Sequence, residues 1–327
     1  CAGSMGAARR CKQRQLRKRQ RLRELRWMWH RACWTIGGVH RVEARTEDQD
    51  RPLIPRTFAG RGYAYTVTMN IFSLHRGTSP LLVSLPHNGE RLPDELAARM
   101  TPSARRVPDT DWHVERLYAF AREMGASMLV PVHSRYVVDL NRPPDDTSLY
   151  PGQNTTSLCP VRQFSAEPVY LDGQEPDEDE IAERVGIYWR PYHNALVEEI
   201  ERIRARHGRC VLWEGHSIRS VVPFLFEGRL PDFNLGTSGG QSCDARLREN
   251  LVGVLESQAD FGFAIDGRFK GGYITRHYGN PGQGVDAVQL ELAQCNYMDE
   301  SSFEYLPDLA APTQHLIQRL LQETLDS

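Results

Sequence analysis

From Met69 onward the chain alternates short apolar runs with stretches of helical period. Residues 70–75 predict an edge strand and 81–85 a buried one, joined by the turn Arg76-Gly77-Thr78-Ser79-Pro80. Val114, Leu117, Tyr118, Ala121 and Met124 recur at helical spacing, which predicts a helix over 111–124 with Asp109, Thr110 or Asp111 as its cap and Gly125 as its stop. Two further buried strands are predicted at 127–132 and 135–140. The proline-rich, polar stretch 143–176 reads as a long loop, the kind that forms lids and substrate walls. Helical period returns over 177–206, is interrupted at Pro191 and stops at Gly208. A short strand at 210–213 then delivers Glu214-Gly215-His216-Ser217. Residues 242–258 predict a helix, 262–265, 273–275 and 285–292 strands, and 313–325 an amphipathic helix. This alternation predicts one α/β domain with a mixed, largely parallel sheet.

The first part of the chain does not share this grammar. Arg9, Arg10, Lys12, Arg14, Arg17, Lys18, Arg19, Arg21, Arg23, Arg26 and Arg31 are opposed only by Glu24, and Trp27, Trp29 and Trp34 follow without an apolar period. Residues 1–68 are read as a basic extension, disordered or foreign to the domain, and 69–327 as the folded unit. A basic arm for nucleic acid or a membrane surface is the competing reading. Over the whole chain the net charge is only −2, so there is no general pull toward nucleic acid or anionic membrane. Seven cysteines are scattered without Cys-x-x-Cys spacing, and no apolar run approaches the length that crosses a bilayer. Both features predict a cytoplasmic protein with reduced thiols and no membrane partner.

Candidate chemistry collects at strand ends. His87 and Glu90 fall on the loop leaving the strand at 81–85, where open α/β sheets place ligands. Three residues apart on a tight, glycine-containing loop, they can turn onto one cation. His216 ends a second strand, and His87, Glu90 and His216 together satisfy a catalytic zinc ion, which takes three protein ligands and leaves a position open. Glu291 sits inside the apolar strand 285–292, where an unpaired carboxylate is costly to bury. It either faces outward or faces the metal site. Asn141-Arg142, fixed by Pro143, offers an amide and a planar guanidinium to a substrate carboxylate, with Asp139 placed to orient Arg142 or a histidine. His113, His133, His193 and His315 read as surface residues. Thr275 and Ser217 can bond a substrate or their own backbone.

The segments Ser84 to Glu90, Arg135 to Arg142, Gly215 to Ser220, Leu230 to Gly236 and Gly271 to Gly279, in unbroken order, resemble the N-formylglutamate amidohydrolases, and most of all their deformylase branch, which ends one route of bacterial histidine degradation. The resemblance spans about Met69 to Leu325. It implies a single three-layer, phosphorylase/hydrolase-like domain distantly similar to zinc carboxypeptidases. It further implies Zn2+ on His87, Glu90 and His216, Glu291 as general acid/base, and Asn141-Arg142 as the grip on a substrate α-carboxylate. One departure is Glu214, where many relatives carry Asp.

The expected reaction is zinc-dependent hydrolysis of N-formyl-L-glutamate to formate and L-glutamate. Arg219 and Arg276 are the candidates for stabilising the oxyanion. Because the substrate is a dianion, a second cationic contact is needed, and Arg135, Arg219, Arg276 and His277 compete for it, with Thr275 as a further substrate contact. Another N-acyl amino acid, or a carboxypeptidase-like amide, in the same zinc site is the alternative. A zinc-free binding protein on this fold is disfavoured by the joint presence of the three ligands and Glu291.

Overall fold

The computed structural model describes residues 53–60, 63–149, 152 and 154–327. Most of the predicted extension therefore lies outside the described residues. Its last part forms an antiparallel hairpin of β1 (Leu53–Gly60) and β2 (Tyr63–Asn70), a two-stranded sheet of its own.

Seven strands build the main sheet: β3 (Phe72–His75), β4 (Leu81–Ser84), β5 (Ser127–Pro131), β6 (Cys210–Ile218), β7 (Phe233–Gly236), β8 (Phe263–Ile265) and β9 (Val285–Ala293). Their spatial order is β3-β5-β4-β6-β9-β7-β8. The inner strands β5, β4, β6 and β9 run parallel, while β3 is antiparallel to β5 and β7 antiparallel to β9. Between the strands lie α1 (Asp94–Ala97), α2 (Val114–Leu117), α3 (Glu178–Arg184), α4 (Arg190–His207), α5 (Ala245–Glu256) and α6 (Tyr273–Tyr278), and α7 (Pro307–Asp326) ends the chain.

Alternating side chains of the inner strands feed two separate cores, as a sheet covered on both faces requires. Leu82, Leu212 and Ala287 join Tyr192, Leu196, Ile200 and Ile203 of α4. On the other side Leu81, Val83, Val211, Trp213, Val288 and Leu290 join Leu251 and Leu255 of α5 and Leu316, Ile317, Leu320 and Leu321 of α7. The result is the three-layer α/β arrangement expected from the alternation of elements. All nine residues of β6 and all nine of β9 are buried, so the polar ones among them need partners within the protein.

Five local expectations give way to the structure. The predicted helix over 111–124 is only the short α2 and a 3-10 turn (Ala119–Arg122), entered through His113 in the left-handed region at φ 62°. The predicted strand at 135–140 is a series of turns. Tyr136, Val137, Val138 and Leu140 are buried, but their backbone is satisfied by loops and side chains, with Asp139 N donating to Leu158 O and Arg184 to Val137 O. Residues 273–275 belong to helix α6, not a strand. Pro191 does not interrupt the helix that contains it. A widened π turn (Val185–Trp189) joins α3 to α4 and accommodates the missing N–H and the ring. His193 and His133, expected on the surface, are buried; His193 Nδ1 lies 2.8 Å from Tyr278 Oη and Nε2 2.9 Å from Leu140 O.

Candidate active site

The C-terminal ends of β4, β6 and β9 converge. His87 follows β4, and His216 near the end of β6 is paired in register with Glu291 of β9. Asp111 joins them from the segment before α2, because its N–H donates to His87 O at 3.0 Å. Ligand atoms of His87, Asp111 and His216, all three buried, lie within 4.8 Å of one another.

Each donor is held by further contacts. His87 Nε2 lies 2.7 Å from Asp139 Oδ1, which leaves Nδ1 to face Asp111 Oδ2 at 3.8 Å. Arg135 Nη1 approaches the same Nδ1 at 3.4 Å. His216 Nδ1 is 3.0 Å from Asp111 Oδ2, while its Nε2 is 3.4 Å from Glu214 Oε2 and 3.1 Å from Asn141 Nδ2. Asp111 Oδ2 also accepts from Ser217 N at 3.1 Å. Imidazoles whose second nitrogen meets a carboxylate are the usual surroundings of a metal ion.

The electrostatics ask for a cation. Asp111, Asp139, Glu214 and Glu291 are all buried here, and buried charge must be compensated. Burial would lower His216, yet hydrogen bonds to Asp111 and Glu214 and the charges of Asp111 and Glu291 raise it to about 10. A proton on that ring thus does what a metal ion would do more fully. Burial, helped by Arg135, lowers His87 and keeps its ring neutral, as a ligand must be. Burial pushes Asp139 up, but Arg135 and His87 outweigh it and hold the carboxyl well below its usual range. Burial pushes Glu291 up, with Asp111 adding to it against the pull of His216. The donor set and charge balance fit a divalent cation on His87, Asp111 and His216.

His87, Asp139, His216 and Glu291 line one open cleft. Of the predicted residues the structure brings His87, His216, Glu291, Asn141, Arg142 and Arg135 to this one cleft. Arg142 Nη2 donates to Thr156 Oγ1 at 3.3 Å, and Arg135 Nη2 to Asp139 Oδ2 at 2.5 Å. Asn141 is also tied to α6, its Oδ1 accepting from Ile274 N at 2.9 Å. The loop 143–176 supplies wall residues Leu149, Thr156 and Phe164, as a substrate wall would.

Glu90 does not join the histidines. Its side chain is exposed and lines a separate hollow with Asn70 and Arg91. Gly89 explains the turn away: a Cβ there would lie 2.2 Å from His133 O, so the loop packs backbone to backbone and sends the next side chain outward. Arg219 donates to Glu300 O and lines another hollow, beside Phe303. Arg276 Nε donates to Gly271 O, and Thr275 is fully buried; neither lines the cleft. His277 stacks on Tyr273.

Two residues of the site escape a reading by sequence. Asp111 resembles a helix cap, and the only signal against that is a second acid, Asp109, with which the role would be shared. Arg268, on the loop after β8, belongs to no motif.

Known proteins resemble this chain throughout the described domain. The N-formylglutamate amidohydrolase family model matches residues 79–298. The N-formylglutamate deformylase of Pseudomonas putida is 49% identical over 256 residues, covering 78% of this chain and 96% of its own. That of Pseudomonas aeruginosa is 50% identical with the same coverage. Among solved structures, N-formylglutamate amidohydrolase from Ralstonia eutropha shares the fold at a TM-score of 0.66 and 24% identity, covering 79% of this chain and 97% of that one. A gene product from Agrobacterium tumefaciens follows at a TM-score of 0.58 and 19% identity, covering 78% and 96%. With the family model spanning more than half its length and relatives of half identity matched almost end to end, the chain is an enzyme of the N-formylglutamate amidohydrolase family.

Proposed function

We propose that this enzyme hydrolyses N-formyl-L-glutamate to formate and L-glutamate with a zinc ion held by His87, Asp111 and His216. The observation that carries this reading is the buried His-Asp-His group, whose two histidines line a cleft with Glu291 and with arginines suited to a dianion. Its support from relatives is the name N-formylglutamate deformylase borne by proteins of half identity. Two imidazoles and one carboxylate suit zinc with an open position. When bound, zinc supplies Lewis acidity, which polarises a carbonyl and makes water a competent nucleophile near neutral pH.

The chain's own groups do the rest. Glu291 accepts the proton of the attacking water as the C–O bond forms at the formyl carbon. It returns that proton to the nitrogen as the C–N bond breaks, so the elements of water end in formate and in the amine. Gln289 Nε2, 3.4 Å from Glu291 Oε2, helps to aim the carboxylate. Arg142 and Arg135, backed by Asp139 and Thr156, receive the substrate α-carboxylate. Asn141 fixes His216 and α6 while bordering the same space. The catalytic unit in this reading is residues 69–327, and the reaction is the one that closes a route of histidine degradation.

The test is formate release from N-formyl-L-glutamate together with metal analysis, for wild type and Glu291→Gln. The variant should retain metal and lose about a hundred- to ten-thousand-fold in kcat. Full activity in the variant, or no formate from the wild type, refutes the reading.

A further inference from the structure

Arg268 is placed to read the part of the substrate that the reaction leaves untouched. It lines the cleft that holds Glu291, and its charge is near enough to favour the ionised form of that carboxylate. Its guanidinium is held against the wall from two directions. Nε donates to Leu225 O at 2.9 Å and Nη2 to Asn154 O at 3.2 Å, so two other loops fix where the cation sits.

The sheet order explains why this cation differs from the others. Arg135 and Arg142 follow β5, and Arg268 follows β8. In the order β5-β4-β6-β9-β7-β8, the strands carrying His216 and Glu291 lie between them. Cations therefore reach the cleft from both sides of the reacting centre. Ile218, Leu225 and Phe269 line the same cleft and offer apolar surface suited to a short methylene chain.

We propose that Arg268 binds the side-chain carboxylate of the substrate and so restricts the site to N-formyl derivatives of acidic amino acids. The inference rests on the proposed deformylase reading and adds to it the source of its selectivity. A guanidinium fixed by carbonyls from separate loops is preorganised for a planar carboxylate, whereas a neutral amide offers it no charge-assisted hydrogen bond.

The experiment compares kcat/KM for N-formyl-L-glutamate and N-formyl-L-glutamine in wild type, Arg268→Gln and Arg268→Lys. The ratio of the two substrates, taken on one sample, does not depend on how much of the variant is folded. Arg268→Gln should lower the glutamate-over-glutamine ratio about tenfold to a hundredfold, mainly through KM, with Arg268→Lys between it and wild type. A parallel fall for both substrates makes Arg268 a staple between loops and overturns the inference, as does an unchanged ratio. Wild-type protein that releases formate from neither compound refutes the deformylase reading itself, and the inference falls with it.

Discussion

Replacing Asp139 by Asn tests whether one buried carboxylate organises both the metal side and the substrate side of the cleft. Its Oδ1 meets His87 Nε2 at 2.7 Å and accepts from Asn141 N at 2.9 Å. Its Oδ2 accepts from Arg135 and lies 4.0 Å from Arg142 Nε. Asn retains the volume but only one acceptor oxygen, which cannot serve both His87 and Arg135. Arg135, 7% exposed, then loses its nearest counter-charge. Breaking a buried pair in this way costs about 3–5 kcal/mol. Asp109 and Asp111 also attract Arg135, which puts the effect toward the lower end of that range. At roughly 2–4 °C per kcal/mol, the melting temperature should fall by at least about 6 °C. Loss of the contact that orients His87 should also weaken metal binding about 10- to 100-fold. The assay pairs thermal melting of metal-free protein with a chelator-competition titration of zinc. A melting temperature within about 2 °C of wild type, less than roughly 1 kcal/mol, together with unaltered zinc affinity, would refute the reasoning.

The remaining predictions concern the ligand set and the acid limb of stability. Asp111→Asn should lose bound metal on dialysis while Glu90→Gln keeps about one ion per chain, because only Asp111 meets the histidines; metal analysis of the two variants decides, and retention by Asp111→Asn with loss by Glu90→Gln would reverse the assignment. Glu199 is held below the ordinary 4.5 because hydrogen bonds from Arg202 and Ser127 and the charge of Arg76 outweigh burial. Its stabilising contribution is complete above 4.5 and is lost as pH falls through the lower folded value, so Glu199→Gln should be less stable than wild type in urea at pH 7 and the gap should narrow toward pH 3; a gap that widens on acidification contradicts this.

The parts of the fold visible in the sequence are those whose burial is simple. β4 and β5 are mostly apolar runs, β6 opens on one, β9 interleaves apolar and polar positions, and the helices α5 and α7 keep a clear period. Residues 135–140 mislead because turns can bury the same apolar side chains when loops satisfy the backbone. β7 escapes because four buried residues, Phe233-Asn234-Leu235-Gly236, carry too little pattern. At the site, His87, His216, Glu291 and Asn141-Arg142 stand out because polar groups within or just after apolar segments have few structural uses. Glu90 misleads through spacing alone: it stands three positions after His87, but the close packing of Gly89 on His133 decides where it points. Asp111 reaches the histidines through the backbone bond to His87 O, a contact between segments that no local pattern encodes. Arg268 depends on strand order in the same way.

In the proposed reaction one cation on His87, Asp111 and His216, beside Glu291, drives cleavage of N-formyl-L-glutamate. Metal-free protein titrated with zinc, with formate release measured at each addition, tests it most directly. Activity should start near zero, rise in proportion to zinc and level at about one ion per chain. Activity that persists in metal-free protein, or that stays absent once zinc is bound, would contradict it.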